Sequence, residues 1–178
     1  VAFNANHHRG QDAFAVNDAT GVFVAADGLG SYGYSGSVSE FISDKIASEI
    51  TDLSDITPDW LTSKMEELLA DQAATSKNVK DSNKVKKGEE VGSTTIVATQ
   101  KISETEFKVF LLGDSPLYRI NSDGDIVERF GDDTAGSFGV DGLIGIDKGK
   151  VWVEGSPVTA TIKLDKGDRI VLGSDYIS

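Results

Sequence analysis

The sequence predicts an α+β fold on three observations: a pair of short apolar strands opens the chain, two long amphipathic stretches follow, and the second half is a run of strand-like segments separated by turn residues. That order differs from a regular alternation of strand and helix, and it implies antiparallel sheets covered by helices. The 178 residues suffice for one domain with a sizeable core, and residues 1–178 read as that single domain. No internal repeat or low-complexity tract interrupts it.

Ala13 to Asn17 and Val22 to Ala26 are apolar segments joined by Asp18-Ala-Thr-Gly21, a turn composition, and so predict a hairpin. From Ser35 to Ile50, the residues Val38, Phe41, Ile42, Ile46 and Ile50 recur at three- and four-residue spacing and describe one helical face, with Ser35 or Ser37 as its cap. A second helix starts at Thr57-Pro58, a capping residue before proline at the first helical position. It carries Trp60, Leu61, Met65, Leu68, Leu69 and Ala73 and fades between Ala74 and Asn78. Residues 80–90 are charged and nearly free of apolar side chains, the composition of a solvated loop. Strands then follow at Thr94 to Lys101, Glu106 to Leu112, Pro116 to Ile120, Ile126 to Arg129, Val151 to Val153, Val158 to Leu164 and Arg169 to Leu172, with Asn121-Ser-Asp-Gly124 as a hairpin turn.

Charge narrows the function classes. With 29 acidic against 17 basic residues the formal net charge is −12, which disfavours a surface built to bind nucleic acid or an anionic membrane. Cysteine is absent, so disulfides, thiolate metal sites and cysteine nucleophiles are excluded, and any metal must sit on oxygen or imidazole. No apolar run approaches the roughly 20 residues of a membrane span and no basic-then-apolar segment opens the chain, from which a cytoplasmic protein is expected.

The acidic residues fall at strand ends. Asp12 begins the first strand, Asp27 ends the second, Asp114 follows Val-Phe-Leu-Leu-Gly, and Asp175 follows Ile-Val-Leu-Gly-Ser. Around Asp27 the pattern is sharpest: Phe-Val-Ala-Ala-Asp-Gly-Leu-Gly runs an apolar strand into one carboxylate and then into Gly28, Gly30 and Gly33. Glycines there permit a sharp turn or a close approach of the backbone. Magnesium and manganese are hard ions that take oxygen ligands, and carboxylates projected from one sheet edge suit them. Taken singly, each aspartate equally fits a turn or a strand cap.

Four blocks in order carry a resemblance: Gly-Gln-Asp-Ala-Phe at 10–14, Phe-Val-Ala-Ala-Asp-Gly-Leu-Gly at 23–30, Gly-Ser-Thr-Thr at 92–95 with Leu-Leu-Gly-Asp-Ser at 111–115, and Gly-Asp-Arg-Ile-Val-Leu-Gly-Ser-Asp at 167–175. The chain resembles the metal-dependent protein phosphatases (protein phosphatase 2C), bacterial branch, over nearly its whole length. The resemblance implies two antiparallel β-sheets packed as a sandwich and flanked by α-helices, a four-layer αββα arrangement.

It also implies Asp27 as the aspartate bridging two Mn²⁺ or Mg²⁺ ions, Gly28 as a ligand through its carbonyl oxygen, Asp175 as a ligand of the other ion, and Asp114 as support for a weaker third ion. Asp12 corresponds to the aspartate that orients a metal-bound water. The implied reaction is hydrolysis of a phosphoserine or phosphothreonine phosphomonoester in a phosphorylated protein by a hydroxide bridging the two ions. No protein nucleophile is needed, so Ser115 reads as structural.

Some positions depart from the family pattern. Gln11 stands where a carboxylate ligand is frequent, and Tyr176 where glycine is usual. The phosphate-binding arginine position is His7, with Arg9 two residues on, so His7, His8 or Arg9 is the expected phosphate contact. Asp132 and Asp133 lie in a short glycine-rich segment where the family has a longer flap over its site. The chain stops at Ser178 before the usual Asp-Asn ligand segment, which fits either a C-terminally incomplete piece or a protein whose second ion lacks that carboxylate. These departures support an alternative: a weakly active or inactive phosphatase-like regulatory or binding domain. The oligomeric state is not specified by the sequence.

Overall fold

The computed structural model describes residues 11–30, 32–75, 91–131 and 142–174. Among them are eleven strands and two α-helices: β1 (Ala13–Asn17), β2 (Val22–Ala26), α1 (Ser35–Glu49), α2 (Pro58–Thr75), β3 (Val91–Thr94), β4 (Ile96–Lys101), β5 (Glu106–Leu112), β6 (Leu117–Ile120), β7 (Ile126–Phe130), β8 (Gly142–Asp147), β9 (Lys150–Gly155), β10 (Val158–Lys163) and β11 (Arg169–Leu172). A single 3-10 turn at Leu53–Asp55 joins the helices. The charged loop at 80–90 and the Asp132-Asp133 segment lie outside the described residues.

All strand pairs among the described residues are antiparallel. A five-stranded sheet runs β1-β2-β4-β5-β10, and two three-stranded sheets run β11-β6-β7 and β3-β8-β9. The large sheet is apolar on both faces because alternate residues of its central strands serve different cores. Ile96 and Ala98 of β4, with Phe110 and Leu112 of β5, join Val38, Ile42 and Ile46 of α1, Leu61, Met65 and Leu68 of α2, and Ile144 and Ile146 of β8. Val97, Val109 and Leu111 face the other way and pack with Leu117, Phe130, Ile170 and Leu172 of the β11-β6-β7 sheet and Ile162 of β10. The result is the expected α+β sandwich, with the helices over one face of the large sheet and a second sheet over the other. Each large apolar side chain fully buried in these cores contributes roughly 1.5–3 kcal/mol.

Polar ties fix the helices to the sheet. Asn17 Nδ2 donates to the Ala47 carbonyl (2.8 Å), and the buried Gln100 side chain of β4 accepts from Leu53 N (3.1 Å) and donates to the Thr51 carbonyl (2.6 Å). The second helix begins as its sequence predicts, with Thr57 Oγ1 accepting from Trp60 N (3.1 Å). The first does not. Its N-cap is Tyr34, with no side-chain cap, and Ser35 is turned inward, where its Oγ accepts from Ser93 N (3.2 Å). Two strand boundaries also differ. The expected strand from Thr94 to Lys101 is divided at Thr95, and β8 occupies a segment for which no strand was expected. In β8, Gly145 lies opposite Trp152, whose indole covers it so closely that a Cβ would meet the ring at 2.7 Å. No helix among the described residues is long and apolar enough to cross a membrane.

Candidate metal centre

β2 delivers Asp27 to the end of the large sheet and the backbone there is held from two sides. The Asp27 carbonyl accepts from Thr95 N (3.0 Å) and from Thr94 Oγ1 (2.8 Å), while Leu29 N donates to the Ser93 carbonyl (2.9 Å). Gly28 between them forms a bridge with Thr94. The Asp27 side chain is half-buried. On β1, the register pairs Ala13 with Ala26, which places Asp12 and Asp27 at the same end of that strand pair. Asp12 also lines a cleft of about 300 Å³ between β1 and α1, with Phe14, Glu40 and Asp44.

Gly28 is required by crowding, not by a left-handed backbone. It is not among the positive-φ glycines, but a Cβ on it would fall 2.3 Å from the Gln11 carbonyl oxygen and 3.1 Å from the Ser35 carbonyl carbon. The same Gln11 carbonyl accepts from Ser39 Oγ of α1, and the Gln11 side chain donates to the Tyr32 carbonyl (3.2 Å). The stretch before β1, the turn after β2 and the first turns of α1 therefore meet at one point.

Asp114 is exposed in the turn between β5 and β6. Two positive-φ glycines shape that turn: Gly113 (φ +96°), where a Cβ would meet the Gly142 carbonyl at 2.5 Å, and Gly131 (φ +79°), where it would meet the Ser115 carbonyl at 2.7 Å. Ser115, next to Asp114, is buried and its Oγ bonds Thr95 Oγ1. Just beyond β11, Gly173 N donates to the Pro116 carbonyl (2.9 Å), so the end of β11 lies beside the Asp114 turn. His7, Arg9 and Asp175 themselves lie outside the described residues.

Asp12, Asp27 and Gly28 are thus brought to one end of the sandwich, and Asp114 is tied to the same end through Ser115 and Thr95. Among the described residues, no three carboxylate or imidazole side chains converge on a point. The donor set is nevertheless uniform: carboxylates and a backbone carbonyl, all oxygen, which fits a hard divalent cation and not a thiophilic one. Sequence reasoning missed Thr94, Thr95, Ser35 and Ser39 as supports of this region. The Gly-Ser-Thr-Thr block was the available signal for the threonines, and Gly92 explains its glycine, since a Cβ there would lie 2.5 Å from the Tyr34 carbonyl carbon.

Comparison with known proteins bears on the family and the fold. The family model described as Protein phosphatase 2C matches residues 4–139. No curated protein matches the chain significantly. Among solved structures, a bacterial serine phosphatase aligns with 92% of this chain and 71% of its own, at 17% identity and a TM-score of 0.51. A protein described as PppA, a key regulatory component of T6SS in Pseudomonas aeruginosa, aligns with 93% of this chain and 70% of its own, at 17% identity and a TM-score of 0.53. At these identities the structural likeness is one of fold.

Proposed function

Since the chain belongs to the protein phosphatase 2C family, we propose that it is a divalent-metal-dependent protein phosphatase acting on phosphoserine and phosphothreonine. The observation that supports this reading is the placement of Asp12, Asp27 and the Asp114 turn, all oxygen donors, at one end of the sandwich, with the end of β11 tied to that turn through Gly173. Asp27, the Gly28 carbonyl, Asp175 and, more weakly, Asp114 are the proposed metal ligands, and Asp12 the residue that orients water. His7 and Arg9 are the proposed contacts to the substrate phosphate, with Arg9 the stronger candidate because a guanidinium grips phosphate with two donors at any working pH.

Bound Mn²⁺ or Mg²⁺ would supply Lewis acidity, lowering the pKa of water and offsetting phosphoryl charge. The chain's own part is positional. The carbonyl of Asp27 is fixed by two hydrogen bonds, so its carboxylate starts from a rigid strand end. Burial of Gly28 against Gln11 holds the adjoining carbonyl in place.

The test is hydrolysis of p-nitrophenyl phosphate and of a phosphothreonine peptide with and without Mn²⁺. Turnover that requires the ion and disappears in Asp27→Asn is expected; no turnover above that variant at saturating Mn²⁺ sinks the proposal. A second reading, a phosphatase-like binding module without turnover, is favoured by Gln11, whose neutral side chain is engaged with the Tyr32 carbonyl where the family often has a carboxylate ligand. It predicts metal or phosphopeptide binding by calorimetry in the absence of hydrolysis.

A further inference from the structure

We infer that Thr95 and Ser115 are positioning residues of the metal centre: their buried hydroxyl pair locks the Asp27 strand end to the Asp114 turn across the two β-layers. The inference rests on the metal-site reading above and adds to it a pair of side chains that touch neither metal nor substrate.

Thr95 belongs to neither β3 nor β4; it is the residue at which that run of chain is broken. Its backbone N–H donates to the Asp27 carbonyl, and its Oγ1 bonds Ser115 Oγ. Both side chains are buried, Thr95 at 3% exposure and Ser115 at 1%. A hydroxyl at that depth must be paired or its desolvation is uncompensated. Each hydroxyl is therefore the partner of the other.

What the pair joins gives it a role beyond packing. Thr95 precedes β4 of the large sheet, whereas Ser115 precedes β6 of the second sheet. The candidate ligands divide in the same way, Asp27 at the end of β2 and Asp114 in the turn that enters β6. Ser115 is adjacent to Asp114, and Pro116 beside it holds Gly173 at the end of β11. Asp27 to Thr95, Thr95 to Ser115, and Ser115–Pro116 to Gly173 thus form one continuous set of hydrogen bonds from one half of the ligand set to the other. The space is filled as well as bonded. A Cβ on Gly113 would lie 2.6 Å from Thr95 Cγ2, so the threonine methyl also presses on the turn that presents Asp114.

Residues that orient metal ligands typically weaken metal affinity when altered, by about 10–100-fold. Calorimetric titration of the protein with Mn²⁺ tests the inference. Wild-type protein should bind Mn²⁺, and Asp27→Asn should not. Thr95→Val, which keeps the methyl and removes the hydroxyl, and Ser115→Ala should each raise the Mn²⁺ dissociation constant about tenfold. Thr95→Ser, which keeps the hydroxyl, should stay within about twofold of wild type, and the double variant should be no worse than the poorer single one because both delete the same bond.

Unchanged Mn²⁺ affinity in Thr95→Val and Ser115→Ala, whatever their melting temperatures, overturns the inference while leaving the metal site standing; so do fully additive losses. Absence of Mn²⁺ binding in wild-type protein overturns the metal-site reading and this inference with it. If Thr95→Val fails to fold, Ser115→Ala alone decides, since loss of one oxygen there leaves no steric conflict.

Discussion

At Asp27 a tightly held backbone carries a half-buried carboxylate. Two donors hold its carbonyl, and the next residue has no room for a methyl group. Asp27→Asn keeps the shape and removes the charge, so the fold should survive, with a melting temperature close to wild type, while Mn²⁺-dependent hydrolysis disappears. Gly28→Ala should act first on the fold. Its Cβ would be forced to 2.3 Å from a backbone oxygen that cannot swing away, and a loss of about 1–3 kcal/mol in urea unfolding is expected, with activity falling in proportion to the folded fraction and beyond it as Gln11 is displaced. Only part of this was legible in the sequence. The octapeptide around Asp27 announces a carboxylate at a strand end, yet it does not reveal why Gly28 is glycine, because Gln11 and Ser35, which crowd it, approach from other segments. Ser35 departs from its expected capping role for a related reason: next to a helix start a serine looks like a cap, but its bond to Ser93 N depends on a strand far along the chain.

Between α1 and α2, Lys45, Glu49, Lys64 and Glu67 form an exposed lattice of ion pairs, with Lys45 over the Phe41 ring and Lys64 over Trp60. Such pairs are individually weak, and the helices are seated chiefly by the apolar stripes that made them legible at three- and four-residue spacing. A more localised electrostatic tie links the 3-10 turn to β5. Lys108 Nζ lies 2.5 Å from Asp52 Oδ1, which also accepts from Ser54 N (2.8 Å), and the lysine, followed by the Ser54 amide, holds the Asp52 carboxyl down at about 2. A carboxyl depressed in the folded state adds stability that is complete above its ordinary value near 4 and is lost as pH falls toward 2. Asp52→Asn should therefore lower stability at pH 7 by a few tenths to about 1 kcal/mol, the side chain being half exposed and screened, and the difference from wild type should vanish between pH 4 and pH 2. Urea melts of both proteins across that range measure it; a difference that persists unchanged to pH 2 would contradict it.

The whole molecule is a large sheet serving two cores at once, and that explains which strands sequence could find. Val-Phe-Leu-Leu of β5 is a continuous apolar run because both faces are covered, and it was legible as such. β8 was not, because Gly142 and Gly145 interrupt its apolar residues, and the need for Gly145 arises only when Trp152 folds onto it. The proposed metal centre would likewise be a property of the assembled sandwich, since its candidate ligands belong to different layers. Mn²⁺ at 100 times its dissociation constant should then stabilise the wild-type fold by about 2.7 kcal/mol, read as a rise in melting temperature that chelator reverses and Asp27→Asn lacks. The indole of Trp152, lying flat on Gly145, has one further consequence. The chain's other tryptophan, Trp60, sits beside Lys64 on α2, so the two rings are optical reporters carried by different elements of the same molecule, one on a helix and one on a strand. With either one replaced by phenylalanine, the emission of the other follows its own element, and unfolding traces that superimpose in the two variants would reveal a sandwich that comes apart in a single step.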